Sequence, residues 1–265
     1  MYSMYATIGE HHILFIMDSQ EIRSSIADTF HAKETGKLKS YLHVDMQIKI
    51  EGNYGKPFSG YEVCTNAEDG QIQFKRTDYS IIVNPTYETA EVKVYDDFAL
   101  KHAILQLYSS FIIYRRWGLL LNSSCVAERN NAFIFAGLSS FGKTALSKIS
   151  RPRLVLSDEA TLICVRSGGD ITVFDSPFRR EERSEHLVRH CKLHSIHILQ
   201  SSFKTESIHL KESDALLHIA NHLTCWPHNK AESGKALSMC RQLVQHIPVS
   251  IRYYENNESL WESIV

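Results

Sequence analysis

Val44, Met46, Ile48 and Ile50 fall on one face of an alternating stretch at 42–50, the pattern of a half-buried strand. Shorter apolar or alternating runs surround it, at 13–16, 61–64, 72–74, 79–83 and 90–95. Asn66, Asp69-Gly70 and Asn84-Pro85 punctuate these runs as turns. A weak helix or a loop is expected at 19–31. Residues 1–95 therefore read as a small β-rich region with no catalytic constellation, suited to packing on the rest of the chain or to recognising a substrate.

The period changes after residue 96. Leu100, Ala103, Ile104, Leu107, Phe111 and Tyr114 recur at helical spacing, predicting an amphipathic helix over 97–118. Asp96 or Asp97 is placed to cap its start, Arg115 and Arg116 lie in its last turn, and Gly118 is placed to end it. Strands are expected at 119–121, 125–128 and 132–136, the last two joined by a tight turn at Arg129-Asn130-Asn131. A hairpin is expected from 161–165 and 171–174 across Ser167-Gly168-Gly169-Asp170. A strand at 195–199, helices at 212–223 and 232–247, a strand at 249–254 and a polar tail complete the pattern. Strands and helices in this mixture predict an α/β (α+β) chain with a mixed sheet.

One stretch carries specific chemistry. Gly137-Leu138-Ser139-Ser140-Phe141-Gly142-Lys143-Thr144 reads G-x-x-x-x-G-K-T, the phosphate-binding loop pattern. It follows the apolar run at 132–136 and precedes a helix-competent run at 143–149, the strand–loop–helix context that the motif requires. Gly137 and Gly142 permit backbone angles that let amide N–H groups turn inward. A helix N-terminus adds partial positive charge where phosphates sit. Lys143 reaches the β- and γ-phosphates, and the Thr144 hydroxyl ligates Mg²⁺. A chance match is expected in on the order of one chain in a hundred of this length, which favours nucleotide binding over an ordinary turn. A short strand at 153–156 then ends in Ser157-Asp158-Glu159, and acids at the end of a core strand suit an Mg²⁺ ligand or a base. Further on, Arg179, Arg180, Glu181 and Arg183 lie in a charged loop that offers cations to a triphosphate or simply a solvated surface.

Composition bounds the alternatives. The chain has 265 residues, 43% of them hydrophobic and 22% charged, with a net charge of −1. That balance is ordinary for a globular protein and lacks the basic footprint of a nucleic-acid binder. The first twelve residues are polar, so no secretory signal is expected. The apolar stretch at 98–117 contains Lys101, His102 and Gln106, which argues against a membrane span. Six scattered cysteines without a C-x-x-C pair suit reduced thiols and a cytoplasmic location. His186, His190, Cys191, His194 and His197 invite a metal reading, but their spacing is irregular and shows no paired zinc pattern.

The order of these parts resembles the HPr kinase/phosphorylase-like proteins, a group related in fold to phosphoenolpyruvate carboxykinase. The resemblance rests on the helix at 97–118, the strand pair at 119–128, the loop at 137–144 and the strand ending in Asp158 and Glu159. Pro177, Phe178 and Glu181 add to it. It spans roughly 95–255 and implies a catalytic domain at 96–265 with the fold of an HPr kinase C-terminal domain, preceded by the β-rich region at 1–95. It also implies ATP and Mg²⁺ as cofactors. Lys143 and Thr144 would hold the nucleotide and metal, Asp158 would be the base or hydrogen-bond acceptor for the attacking hydroxyl or a metal ligand, and Glu159 would be a metal ligand or would orient one. The family's second acid is usually aspartate, and a histidine stands where this chain has Asn122. Asparagine does not titrate near neutral pH, so the implied activity is a kinase without efficient reverse phosphorolysis. Small stand-alone members resemble kinases that phosphorylate the C-terminal serine of a lasso-peptide precursor, so the implied partner is a peptide or protein bearing a serine. Neither nucleic acid nor membrane is implied, and a homo-oligomer is left open. The alternatives are a catalytically degenerate nucleotide-binding regulatory protein, favoured by Asn122 and Glu159, and a carboxykinase-like small-molecule enzyme.

Overall fold

The computed structural model describes residues 1–36, 43–68, 70–137, 150, 152–179, 190–202 and 206–254. The chain is a mixed α+β protein with two mixed sheets and, among the described residues, four helices. It divides into two compact units. One comprises Met1–Tyr114 with Trp226–Glu232, the other Arg115–Cys225 with Ser233–Val265.

The first unit is built on an eight-stranded sheet. Its strands are β1 (Tyr2–Ile8), β2 (His11–Met17), β3 (Lys33–Glu34), β4 (Met46–Glu51), β5 (Cys64–Glu68), β6 (Gln71–Lys75), β7 (Tyr79–Val83) and β8 (Thr89–Val94). Their order is β3-β1-β2-β4-β8-β7-β6-β5. The alternation at Met46, Ile48 and Ile50 is buried as expected, and β4 lies parallel to both β2 and β8. Helix α1 (Gln20–Phe30) supplies the connection from β2. Ser19 caps it by accepting from the Glu21 and Ile22 amides, and Ile22, Ile26 and Phe30 are its buried stripe. Two expectations fail here. Residues 61–63 are not a strand, and Asn66 is not a turn but sits inside β5, whose partner is β6. Every residue of β5 is exposed, so it lacks the buried face that periodicity detects.

Helix α2 (Asp97–Tyr114) belongs to this first unit, so the unit boundary falls after it and not at 95/96. The reason is packing. Tyr79 on β7 donates from its hydroxyl to Gln106 Oε1. Tyr108 donates to the Ile8 carbonyl (2.7 Å) and accepts from His11 Nδ1 (2.9 Å). The helix is not amphipathic: between residues 99 and 113 only Lys101 and His102 fall short of full burial. Asp96 is its cap, accepting from the Ala99 amide at 2.8 Å. Its end differs from expectation too. The chain leaves the helix with Arg116 in the left-handed region (φ 53°), and Gly118 opens a strand instead of ending the helix. A Cβ on Gly118 would sit 2.0 Å from the Ile163 carbonyl oxygen, so this glycine serves a close strand approach and not a helix cap.

The second unit carries a nine-stranded sheet. Its strands are β9 (Gly118–Asn122), β10 (Ser124–Glu128), β11 (Asn131–Ala136), β12 (Leu154–Ser157), β13 (Ala160–Val165), β14 (Ile171–Phe174), β15 (His190–Ser201), β16 (Glu206–His209) and β17 (Val249–Tyr254). The main path runs β12-β10-β11-β15-β14-β13-β9, with β17 on β15 and β16 on β17. The expected hairpin is β13–β14, with Val165 opposite Ile171 and positive φ at Gly168 and Gly169. Strands β11, β15 and β17 are mutually parallel. Helix α3 (Glu212–His222) packs on β9. Helix α4 (Lys230–His246) starts two residues before its expected start, because the Asn229 side chain accepts from the Glu232 amide (2.9 Å) and caps the helix.

The two ends of this sheet are not separate edges. β9 continues into β10 through Ser123, and β12 continues into β13 through Asp158 and Glu159. β9 pairs with β13, β10 pairs with β12, and between them the Ser123 amide donates to the Glu159 carbonyl at 3.2 Å. The path β12-β10-β11-β15-β14-β13-β9 thus begins and ends on two bent strands paired with each other, and the hydrogen-bonded ladder returns to its start. A register shift at Cys125/Val126 accommodates the bend.

Candidate functional site

The phosphate-loop pattern begins where β11 ends. Phe133 to Ala136 are buried, and Gly137 follows with φ 86°. A Cβ at Gly137 would lie 3.0 Å from the Leu199 carbonyl oxygen of β15, so the position requires glycine on two grounds. Ser139, Ser140, Phe141, Gly142, Lys143 and Thr144, with the helix expected at 143–149, lie outside the described residues. So do Arg180, Glu181, Arg183, His186 and the polar tail.

Asp158 and Glu159 occupy the bend between β12 and β13. Asp158 is 4% exposed, and Asn122 at the end of β9 is opposite Ala160 in register. The bend is filled by three buried hydroxyls. Ser123 Oγ donates to Thr161 Oγ1 at 2.7 Å, and Ser157 Oγ lies 2.6 Å from the same oxygen. Cys125 is opposite both Ser157 and Ile134 of β11, so β10 alone separates the strand ending at Gly137 from the strand ending at Asp158. The structure therefore gathers Asn122, Asp158 and Glu159 at one bend, with Gly137 two strands away. The hydroxyl cluster had no sequence signal, since single serines and threonines in strands are unremarkable.

Arg179, offered by the sequence as a cation for a triphosphate or as solvated surface, has another set of partners. Its Nε donates to the Ser176 carbonyl (2.9 Å), and its Nη2 donates to the Leu156 carbonyl (2.6 Å) and to Asp175 Oδ1. Both members of the Arg179–Asp175 ion pair are largely buried, at 10% and 8% side-chain exposure. The guanidinium faces backbone carbonyls because β12 reaches its end beside this loop, where Ser176 and Phe178 also bond to the strands.

The histidines on β15 do not converge. His190, His194 and His197 each lie against a phenylalanine ring, of Phe174, Phe133 and Phe135 respectively. Among the described residues no group of three His, Cys, Asp or Glu side chains is arranged to hold a metal ion. The six cysteines are free thiols. Among the described residues no helix is long and apolar enough to cross a membrane.

His197, which the sequence offered only within an irregular metal-like set, belongs instead to a buried polar group with Ser195, Ser250 and Arg252. Its Nε2 is 2.8 Å from Ser195 Oγ, and its Nδ1 is 3.0 Å from both Ser250 Oγ and Arg252 Nε. Arginine only donates, so Nδ1 accepts and the ring proton sits on Nε2. An Nε2–H cannot take a proton from Ser195, which excludes a nucleophilic serine–histidine pair here. Burial, with Arg252 and His194 adding to it, pushes His197 down to about 3. The folded chain keeps the ring neutral, whereas the unfolded chain protonates it below about 6.5. The stability this gives is fully present above about pH 6.5 and is lost as pH falls toward 3, at up to about 1.4 kcal/mol per pH unit. His197→Asn is therefore expected to flatten the fall in Tm between about pH 6.5 and pH 4. Melts across that range check it, and a variant whose Tm keeps the wild-type slope would show that another group sets the acid limb.

No family model matches this chain, and no curated protein matches it.

Proposed function

We propose that this chain is an ATP-dependent serine kinase of the HPr kinase-like type, acting on a peptide or protein. The observation that carries the proposal is the coincidence of two features in one sheet. A G-x-x-x-x-G-K-T sequence starts at the carboxyl end of the buried strand β11, and a buried carboxylate, Asp158, stands at the end of β12 with only β10 between. Ligands of sheets with parallel strands sit outside the carboxyl ends of those strands, which is where the loop emerges.

In this reading Lys143 and the loop amides neutralise the β- and γ-phosphates, and Thr144 with Glu159 holds Mg²⁺. Asp158 orients the acceptor hydroxyl and takes its proton. The chemistry asks little more, since phosphoryl transfer is mainly positioning and charge neutralisation. Asn122 stands beside the acids without a titratable group, consistent with a forward kinase. The second unit is the catalytic one, the first serves substrate recognition, and the cytoplasm is the matching compartment.

The acceptor is proposed to be a serine at the C-terminus of a flexible peptide such as a lasso-peptide precursor. The hydroxyl must approach in line at about 3–3.5 Å with water excluded, and a chain end enters a crevice between loops at little unfolding cost. Arg179 is engaged by Asp175 and β12, and Arg180 and Arg183 are proposed to receive the terminal carboxylate. The test is a matched pair of peptides, one ending in serine and one extended past it by several residues. A marked fall in kcat/KM on extension is expected, and equal values would remove the terminal-serine proposal. Asn122 and Glu159 favour one other reading, a nucleotide-binding regulator without catalysis. Tight ATP binding without transfer to any serine peptide would select it.

A further inference from the structure

We propose that Arg179 is a positioning residue for Asp158, holding the end of β12 so that the carboxylate keeps one fixed place. The inference rests on the kinase reading above, in which Asp158 receives the acceptor hydroxyl.

Asp158 is held through its neighbours in the chain. Two residues before it, the Leu156 carbonyl accepts from Arg179 Nη2 (2.6 Å) and from the Ser176 amide (3.0 Å). One residue before it, Ser157 Oγ is joined to Thr161 Oγ1. One residue after it, the Glu159 carbonyl accepts from the Ser123 amide (3.2 Å), and two after it the Ala160 amide donates to the Phe178 carbonyl (3.2 Å). Apart from the one from Arg179, these bonds join backbone or hydroxyl groups of the bend and of the loop at 176–178. Arg179 differs, because one planar side chain bonds three separate places at once. It joins the Ser176 carbonyl, the Leu156 carbonyl and the Asp175 carboxylate, and Nη1 points at the Val155 carbonyl at 3.5 Å. The Asp175 carboxylate sets the direction of the fork, and burial of the pair keeps water from competing for it. A rigid guanidinium is suited to this and a lysine ammonium is not.

The loop at 175–179 thus acts as a splint along Val155 and Leu156 of β12. Loss of the splint would let the bend at Asp158 shift. A displacement of about 1 Å in a reacting group costs up to about 10²-fold in rate.

The experiment compares wild type, Arg179→Gln, Arg179→Lys and Asp175→Asn, each also in the Asp158→Asn background. Readouts are kcat and KM for ATP with a serine peptide, a thermal melt, and amide hydrogen exchange over 154–160. In the otherwise wild-type chain, each variant is expected to lower kcat by about 10- to 10²-fold with KM for ATP unchanged. Exchange at 154–160 is expected to rise without a matching rise elsewhere. In the Asp158→Asn background the same changes are expected to cost little further, because the group they position has already lost its function. Equal losses in both backgrounds, or a fall in kcat that follows the unfolded fraction in the melt, would make Arg179 merely structural and overturn the proposal. Wild-type turnover that Arg179→Gln leaves intact overturns it as well. If the wild type transfers phosphate to no serine peptide, the kinase reading itself fails and the positioning role fails with it. Exchange then still reports whether the splint exists.

Discussion

Lys143→Ala is expected to abolish ATP-dependent phosphorylation, a loss of at least about 10³-fold, while the melting curve stays close to wild type. The residue is the seventh of the G-x-x-x-x-G-K-T stretch that begins at Gly137. The phosphoryl group in flight spreads negative charge over its oxygens, and a point charge at the β- and γ-phosphates offsets it. No neighbouring residue of the loop carries a positive charge that would replace it. Turnover beside a thermal melt checks the prediction, because loss of activity with loss of fold would say nothing about phosphate binding. Near-native turnover in a folded variant would remove the phosphate-loop assignment, and the kinase proposal with it.

Asp158→Asn is expected to lower kcat by about 10²–10⁴-fold and to leave ATP affinity nearly unchanged. Asparagine preserves the shape of a side chain that is 4% exposed. In the kinase proposal, what it removes is the ability to take a proton from the attacking hydroxyl. In the kinase proposal nucleotide affinity is assigned to the loop after β11, on the far side of β10, so binding and turnover are expected to separate. Measuring kcat by peptide phosphorylation and ATP affinity by calorimetry distinguishes the roles. An unchanged kcat would make Asp158 a structural acid of the bend. A parallel loss of ATP binding would move it from proton acceptor to metal ligand.

The elements of the chain were legible where a single buried face produced a clean period. The alternation at Met46, Ile48 and Ile50 became β4, and the glycines at 168 and 169 became the turn of the β13–β14 hairpin. β1 was readable in the same way, since Met4, Ala6 and Ile8 alternate as its buried positions, yet its polar and aromatic partners masked it. Helix α2 misled because it is buried all round: a helical period marks a boundary between core and solvent, and α2 has almost none. Gly118 misled because a glycine near a helix end and a glycine demanded by a neighbouring strand look alike in one dimension.

By itself the sequence determined the local features. These are the phosphate-loop pattern at Gly137, the apolar strand before it, the acids closing a short strand at Asp158 and Glu159, and an aspartate cap at 96 or 97, which proved to be Asp96. All of these depend on residues a few positions apart, where backbone sterics, capping and side-chain period act directly. Tertiary structure alone decided which of them meet. The bend at Ser123 and Asp158–Glu159 pairs strands far apart in the chain, and the Asp175–Arg179 loop reaches the carbonyl of Leu156 only because β13 and β14 fold it back. Backbone hydrogen-bond pairing across a sheet is the same for nearly any side chain, so the sequence carries little record of which strand lies beside which. The arginine that looked like a free cation shows the consequence. Its ion-pair partner Asp175 stands four residues before it, but the return path of the ladder settled that the guanidinium also binds the Leu156 carbonyl.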